Sequence, residues 1–243
     1  MNSRSPWPQG GPFKRNIPNA LTILSLCSGL TSLRMTLTDR VEPAIYFILI
    51  AIVLDGLDGR AARHLNAESH FGAELDSLAD FLCFGIAPGM LVYTFMFHGT
   101  DMSGLGWVAC MLLVVCCMLR LARFNVSGAE TADSGQPVFT GVPAPAIAFL
   151  ALMPIYLLQC GFIATQFFHY IFVFYLAGVS YLAISRIPTF SPKMVSIQTA
   201  GSRAVAVLGL VALLLMMSVT WYAFVLLAAV YLLSIPFLAR HFR

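Results

Sequence analysis

The sequence predicts an all-α, polytopic membrane bundle of about eight crossings, and three observations carry that prediction. Of 243 residues, 59% are hydrophobic and only 10% are charged. Mean hydropathy is +0.83, well outside the range of soluble globular domains. The apolar stretches recur at about 20 residues, the length a helix needs to cross the hydrocarbon core.

The chain opens with a Pro/Gly-rich stretch, Ser5 to Pro12, whose apolar content is too low to fold alone, so residues 1–15 read as a disordered cytoplasmic tail. The first crossing, 17–37, follows Arg4, Lys14 and Arg15 and has the outline of a signal peptide. Leu33-Arg34-Met35 is a poor cleavage site, so the segment reads as a mature helix. Further crossings are expected at 43–63, 74–97, 104–122, 143–160, 167–185, 203–219 and 221–239. The last two are separated so briefly around Thr220 that they form a tight hairpin. Residues 16–200 read as the core and 201–243 as a C-terminal helical hairpin of the same membrane domain. The stretch 124–142 reads as a loop, with Gly141 between two hinge regions.

Alternating eight crossings from a cytoplasmic N-terminus places Arg4, Lys14, Arg15, Arg60, Arg63, Arg120, Arg123, Arg186, Lys193, Arg203, Arg240 and Arg243 on the inner side. Only Arg34 and Arg40 fall outside. This positive-inside asymmetry predicts a bacterial-type cytoplasmic membrane, both termini cytoplasmic and any site near Arg63 facing the cytoplasm. The net charge of +3 carries no nucleic-acid reading beside it. Cys27, Cys83, Cys110, Cys116, Cys117 and Cys160 lack metal-ligand spacing and read as small packing residues.

Four carboxylates interrupt this apolar pattern. Asp55 and Asp58 are three apart and Asp76 and Asp80 four apart, so at about 100° per residue each pair shares a helix face. A short polar link, His64 to Gly72, makes the second and third helices antiparallel neighbours that bring the pairs together. Asp55 lies about 12 Å along the axis from Arg63, in the inner half of the bilayer. Each buried aspartate costs roughly 2.5–3.5 kcal/mol on insertion scales, and the cluster repels itself. A divalent cation removes that conflict. All-oxygen donors without His or Cys favour Mg²⁺ or Mn²⁺, and four carboxylates suffice for two ions. Gly59, Ala62 and Gly72 leave room for a bulky group, and Arg63 can pair with a phosphate oxygen, so the set describes a diphosphate site. The structural alternative pairs two aspartates with Arg60 and Arg63 and assigns the glycines to helix packing.

The spacing D-x2-D-G-x2-A-R-x8-G-x3-D-x3-D, matched from Asp55 to Asp80, resembles the signature of the CDP-alcohol phosphatidyltransferase family. The resemblance implies a six-helix core, usually homodimeric, with two metal ions under the diphosphate of a CDP-linked donor. Asp55, Asp58, Asp76 and Asp80 would be metal ligands, with Asp80 also the general base. Asp58, Gly59, Ala62, Arg63 and Gly72 would contact the CDP-linked donor. Segments starting at Asn16-Ile17-Pro18-Asn19, Arg120-Leu121-Ala122-Arg123-Phe124-Asn125, Phe139-Thr140-Gly141-Val142-Pro143 and Pro188-Thr189-Phe190-Ser191 resemble the membrane-type phosphatidylserine synthase branch, which has eight crossings. Ser25 departs from the Asn expected in that branch.

Asn19 and Thr22 either face the nucleotide or act as caps and interhelical contacts. Arg120 and Arg123 either snorkel to lipid phosphate or bind the acceptor's carboxylate. The resulting expectation is transfer of a phosphatidyl group from CDP-diacylglycerol to L-serine by direct displacement, releasing CMP, with the donor's acyl chains left in the bilayer. Rival acceptors are glycerol 3-phosphate and inositol phosphate, which the acid motif does not separate. A cation transporter is the rival from another class, but it has no need of Gly59, Ala62, Arg63 and Gly72 at these offsets.

Overall fold

Helices form where the apolar runs lie, because inside a bilayer every backbone N–H and C=O must find its partner within the segment. The computed structural model describes residues 12–65, 67, 69–131, 142–163, 165–185 and 220–241. Among them the chain is all helical: α1 Pro12–Leu37, α2 Val41–His64, α3 His70–Phe97, α4 Ser103–Thr131, α5 Ala144–Gln159, α6 Gln166–Ile184 and α7 Thr220–His241.

Four stretches are long and apolar enough to cross a membrane: Asn16–Leu37, His70–Phe97, Ser103–Val126 and Gln166–Ile184. α2 is comparable in length but carries Glu42, Asp55, Asp58, Arg60 and Arg63. Ala144–Gln159 and Trp221–Ser234 are shorter apolar helices. The described residues thus supply four such helices against the eight expected, and the expected crossing at 203–219 lies outside them.

Several boundaries differ from expectation for local reasons. α1 begins at Pro12, so residues 12–15 belong to a helix and not to the tail; a proline in the first turn loses no hydrogen bond there. α3 begins at His70 because Ser69 caps it, its hydroxyl accepting from the Gly72 N–H at 3.0 Å. α4 runs on to Thr131, so the first part of the expected 124–142 loop is helix, while residues 132–141 and Gly141 lie outside the described residues. α5 is interrupted at Leu152. Pro154 has no N–H for the Leu150 carbonyl, which accepts instead from the Tyr175 hydroxyl at 2.8 Å.

α1 and α2 make the most extensive helix pair. Their connection turns at Asp39, which adopts φ 57°, while the Arg40 N–H closes back onto the Met35 carbonyl at 2.9 Å. Aspartate is among the few residues that tolerate this left-handed position. Along the seam, Ser25, Ser28 and Ser32 donate to the carbonyls of Ala51, Phe47 and Ala44 at 3.1, 2.7 and 2.8 Å. The donors ascend α1 as the acceptors descend α2, which is the register of an antiparallel pair. Small side chains let the backbones approach this closely, and hydroxyls buried in an apolar layer need acceptors. Gly29 extends the same logic to α3, since a side chain there would meet Cys83 Sγ at 2.5 Å.

Polarity is inverted relative to a water-soluble protein. Ser25, Ser28, Ser32 and Thr36 are buried, while Leu30, Ile50, Val53, Leu112 and Phe174 are exposed. The apolar core is built by Ile45, Ile48, Phe84, Leu91, Leu113 and Ile147.

Ser32→Ala is expected to lower the unfolding free energy by about 0.6 kcal/mol, with an upper bound near 1.7, the range of interhelical bonds inside membranes. Denaturation in mixed detergent micelles measures it, and an unchanged midpoint would remove the seam's energetic role.

Candidate active site

α1 packs on α2 along its length and also on the first part of α3. The space bounded by the three is a cleft of about 330 Å³. Its walls are Pro18, Asn19 and Thr22 from α1, Asp58, Gly59 and Ala62 from α2, and Gly72, Ala73 and Asp76 from α3, with Ala67, Ser69 and His70 closing the link side.

The acids converge from α2 and α3. Asp55, Asp76 and Asp80 each offer a carboxylate oxygen, and the three oxygens lie within 4.8 Å of one another. The Asp55 and Asp80 carboxyls come within hydrogen-bonding distance. Asp58 stands outside this trio, one turn along α2, buried and lining the cleft beside Asp76. Thr22 reaches across from α1, its hydroxyl 2.8 Å from Asp58 Oδ2 and 3.1 Å from the Pro18 carbonyl. A hydroxyl has one proton to give, and the carboxylate is the stronger acceptor. Thr22 therefore holds Asp58 in place as well as lining the cleft.

Three carboxylates this close in a low-dielectric interior repel one another unless positive charge sits among them. Their donors are all oxygen, and no His or Cys joins the set among the described residues. That chemistry fits a hard divalent cation, Mg²⁺ or Mn²⁺. Asp55, Asp76 and Asp80 could hold one ion together, with Asp58 placed to extend the set toward the cleft.

Of the seven residues expected at a nucleotide, Asn19, Thr22, Asp58, Gly59, Ala62 and Gly72 line this one cleft. Arg63 does not line it. It is exposed, with Nη1 lying 3.7 Å from where a Cβ on Gly59 would stand. Gly72 has a packing role beside the one expected: a Cβ there would come to 3.1 Å from both Asn19 Oδ1 and Ser69 Oγ, so its missing side chain also lets α1 and α3 close up.

The two arginines expected at the acceptor are both engaged with backbone. Arg120 Nε donates to the Val142 carbonyl at 2.6 Å, and Arg120 is near enough to Asp80 for their charges to interact. Arg123 Nη1 donates to the Ile184 carbonyl at 2.8 Å, satisfying an open carbonyl at the end of α6. Phe139–Gly141 and Pro188–Lys193 lie outside the described residues.

Sequence reasoning passed over Ser69, His70 and the bond from the Ser77 hydroxyl to Asn125 Oδ1 at 3.0 Å. Ser69 before a helix was a readable N-cap signal. No spacing rule links positions 77 and 125. All six cysteines are free thiols, four of them buried.

A family model described as CDP-alcohol phosphatidyltransferase matches residues 15–180, from α1 into α6, a stretch that contains every acid of the cluster. The chain belongs to the CDP-alcohol phosphatidyltransferase family. Within the family it is similar to proteins named CDP-diacylglycerol–serine O-phosphatidyltransferase. The one from Mycobacterium leprae is 43% identical over 189 residues, which is 74% of this chain and 60% of that protein. The one from Mycobacterium bovis is 37% identical over 234 residues, 93% of this chain and 79% of that protein. The one from Bacillus subtilis is 38% identical over 129 residues, 53% of this chain and 69% of that protein. The chain thus spans about three fifths of the Mycobacterium leprae relative and about four fifths of the Mycobacterium bovis one.

Thr22→Val keeps the side-chain shape and removes the donor to Asp58. It is expected to weaken Mn²⁺ binding about tenfold, the lower end of the effect of losing a group that orients a metal ligand. Titration of the free Mn²⁺ paramagnetic resonance signal measures this, and wild-type affinity would refute the role given to Thr22.

Proposed function

We propose that this chain is an integral-membrane phosphatidyltransferase that moves the phosphatidyl group of CDP-diacylglycerol to the hydroxyl of L-serine, giving phosphatidylserine and CMP. The observation that carries the proposal is the convergence of Asp55, Asp76 and Asp80 within 4.8 Å beside a cleft lined by Asp58, Gly59 and Ala62, in a member of this family. Serine as acceptor is supported by the names of the relatives in mycobacteria and Bacillus subtilis.

Asp55, Asp58, Asp76 and Asp80 would hold two divalent cations, Mg²⁺ or Mn²⁺, which when bound would neutralise charge on the donor diphosphate and the departing CMP. The cleft takes the CDP end of the donor. Gly59 and Ala62 let it lie close to the α2 backbone, Asn19 and Thr22 line the facing wall, and Arg63 pairs with a phosphate oxygen from the rim. Asp80 accepts the proton of the serine hydroxyl as that oxygen bonds to the phosphorus bearing diacylglycerol. The bond from the same phosphorus to the CMP oxygen breaks, and CMP leaves with the electron pair. Displacement is read as direct, since the fixed positions of the acid motif, Asp55 to Asp80, include no Ser, Cys or His that could form a covalent intermediate. Arg120 receives the acceptor carboxylate through guanidinium nitrogens other than the Nε on Val142. Arg123 is the weaker candidate for that contact because it is spent on the end of α6.

The same reading places the protein in a cytoplasmic membrane with both termini and the cleft mouth on the inner side, as a homodimer of eight-crossing subunits. The charge asymmetry of the sequence supports that orientation. Residues 16–200 would form the catalytic core and 201–243 a C-terminal hairpin of the same membrane domain, a division that rests on the sequence pattern.

Purified protein given CDP-diacylglycerol, Mn²⁺ and, in parallel, labelled serine, glycerol 3-phosphate or inositol phosphate is expected to form labelled lipid from serine alone. Asp80→Asn should cut CMP release by at least about a hundredfold, the range of a lost general base, while the protein still inserts. Full activity in that variant would sink the mechanism, and a product from another acceptor would keep the chemistry and replace the substrate. Arg120→Gln is expected to raise the KM for serine about tenfold or more with the KM for CDP-diacylglycerol unchanged, whereas Arg123→Gln should lower stability and leave both KM values near wild type.

A further inference from the structure

α3 is not one uniform helix. It is α-helical from His70 to Asp80, π-helical from Phe81 to Ile86, α-helical again from Ala87 to Val92, and π-helical once more from Tyr93 to Phe97. In the wide turn the Ala87 N–H reaches back five residues to the Leu82 carbonyl. Of the two wide turns, the first precedes a proline, two residues beyond its end. Pro88, buried, has no N–H to give, and its ring crowds the carbonyl four residues earlier, that of Phe84, inside the wide turn. Widening the turn by one residue lets the helix pass the proline without breaking.

An extra residue in one turn shifts everything beyond it by about 100°. The consequence shows in what α3 presents to α4. Upstream of the wide turn, Ser77 bonds Asn125 at 3.0 Å. Within the wide turn a Cβ on Gly85 would lie 3.4 Å from Cys117, and downstream of it one on Gly89 would lie 3.1 Å from Val114. The partners descend α4 as the α3 residues ascend, so all three contacts belong to one antiparallel seam. Measured around the axis from Asp80, Ser77 sits at about 60°. In an uninterrupted α-helix Gly89 would sit at about 180°, on another face. With one residue absorbed by the wide turn it comes to about 80°, in line with Ser77.

We infer that Pro88 is a positioning residue, the wide turn it imposes setting the angle between the face of α3 that carries Asp76 and Asp80 and the seam that binds α3 to α4. With the downstream half anchored by Gly89, and the wide turn itself by Gly85 and by Cys83 Sγ donating to the Ser25 carbonyl at 3.3 Å, an all-α turn rotates the acidic half away from Asp55. The inference rests on the metal-centre reading proposed above, and the experiment separates the two.

The full chain in detergent is titrated with Mn²⁺, followed by paramagnetic resonance, for wild type, Asp80→Asn, Pro88→Ala, and Pro88→Ala with Leu82 deleted. Pro88→Ala restores the N–H and frees the Phe84 carbonyl, so the turn closes to α, and Mn²⁺ binding is expected to weaken about tenfold or more. Deleting Leu82 from that variant removes the extra residue, returns both faces to phase in an all-α helix, and is expected to restore affinity to within about threefold of wild type. Rescue by the deletion supports the inference even if Pro88→Ala alone aggregates. Wild-type affinity in Pro88→Ala overturns it, as does a deletion variant that stays weak or aggregates. Wild-type affinity in Asp80→Asn would instead remove the metal-centre reading and this inference with it, whereas binding lost in Asp80→Asn and kept in Pro88→Ala removes this inference alone.

Discussion

The register of α1 on α2 is the interaction on which the rest of the molecule depends. Ser25, Ser28 and Ser32 each donate to a carbonyl of α2, and a slip of α1 by one residue would turn all three hydroxyls away from their acceptors together. In a membrane the hydrophobic effect does not choose among registers, since lipid tails are as apolar as a neighbouring helix. Hydroxyl-to-carbonyl bonds and close backbone approach do that instead. The same alignment sets Thr22 opposite Asp58 at 2.8 Å and Gly29 opposite Cys83. One seam therefore fixes a cleft wall, an orienting bond to an acid and the docking surface for α3.

The acids are tolerated because the bundle is built around them and not despite them. Four carboxylates in apolar helices are expensive one by one, yet the helices carrying them are pinned elsewhere by contacts that do not involve charge. α2 is held by the serine seam, and α3 by Gly29 on one side and by Gly85 and Gly89 on the other. Repulsion within the trio then cannot push α2 and α3 apart without unmaking packed interfaces. Arg120 and Arg123 work in the same direction, tying α4 to Val142 and to the end of α6. These arginines show how one residue type serves two ends: both were read as groups for a small anion, and both have a backbone carbonyl as their nearest partner.

Legibility in the sequence followed the range of the interactions. Asp55, Asp58, Asp76 and Asp80 stood out because a charge in an apolar run is a local anomaly, and their spacing within each helix is a matter of 3.6-residue geometry. Gly59, Ala62 and Gly72 could be attached to one ligand because the family pattern has fixed offsets, whereas Asn19, outside that pattern, stayed open between the nucleotide and a helix cap. Asp58 standing one turn from the trio, Gly72 receiving Asn19, and Ser77 meeting Asn125 could not be read, since each depends on how two helices are rotated against each other. The break in α5 at Pro154 and the wide turn before Pro88 lie between these cases. Prolines inside apolar runs announce an irregularity, but not whether the helix will kink, stop or widen.

By itself, then, the sequence determined that this protein is helical and membrane-embedded, that it belongs with the CDP-alcohol phosphatidyltransferases, and which four acids to examine, because hydropathy, residue type and spacing along one helix are properties of the chain alone. Only the tertiary structure decided that Asp55, Asp76 and Asp80 share one point while Asp58 answers to Thr22, that the cleft opens among α1, α2 and α3, and that Arg123 closes a helix end. The physical reason is phase. Which face of a helix meets which neighbour is set by glycine contacts and serine bonds acting together, and neither exists until the helices have packed.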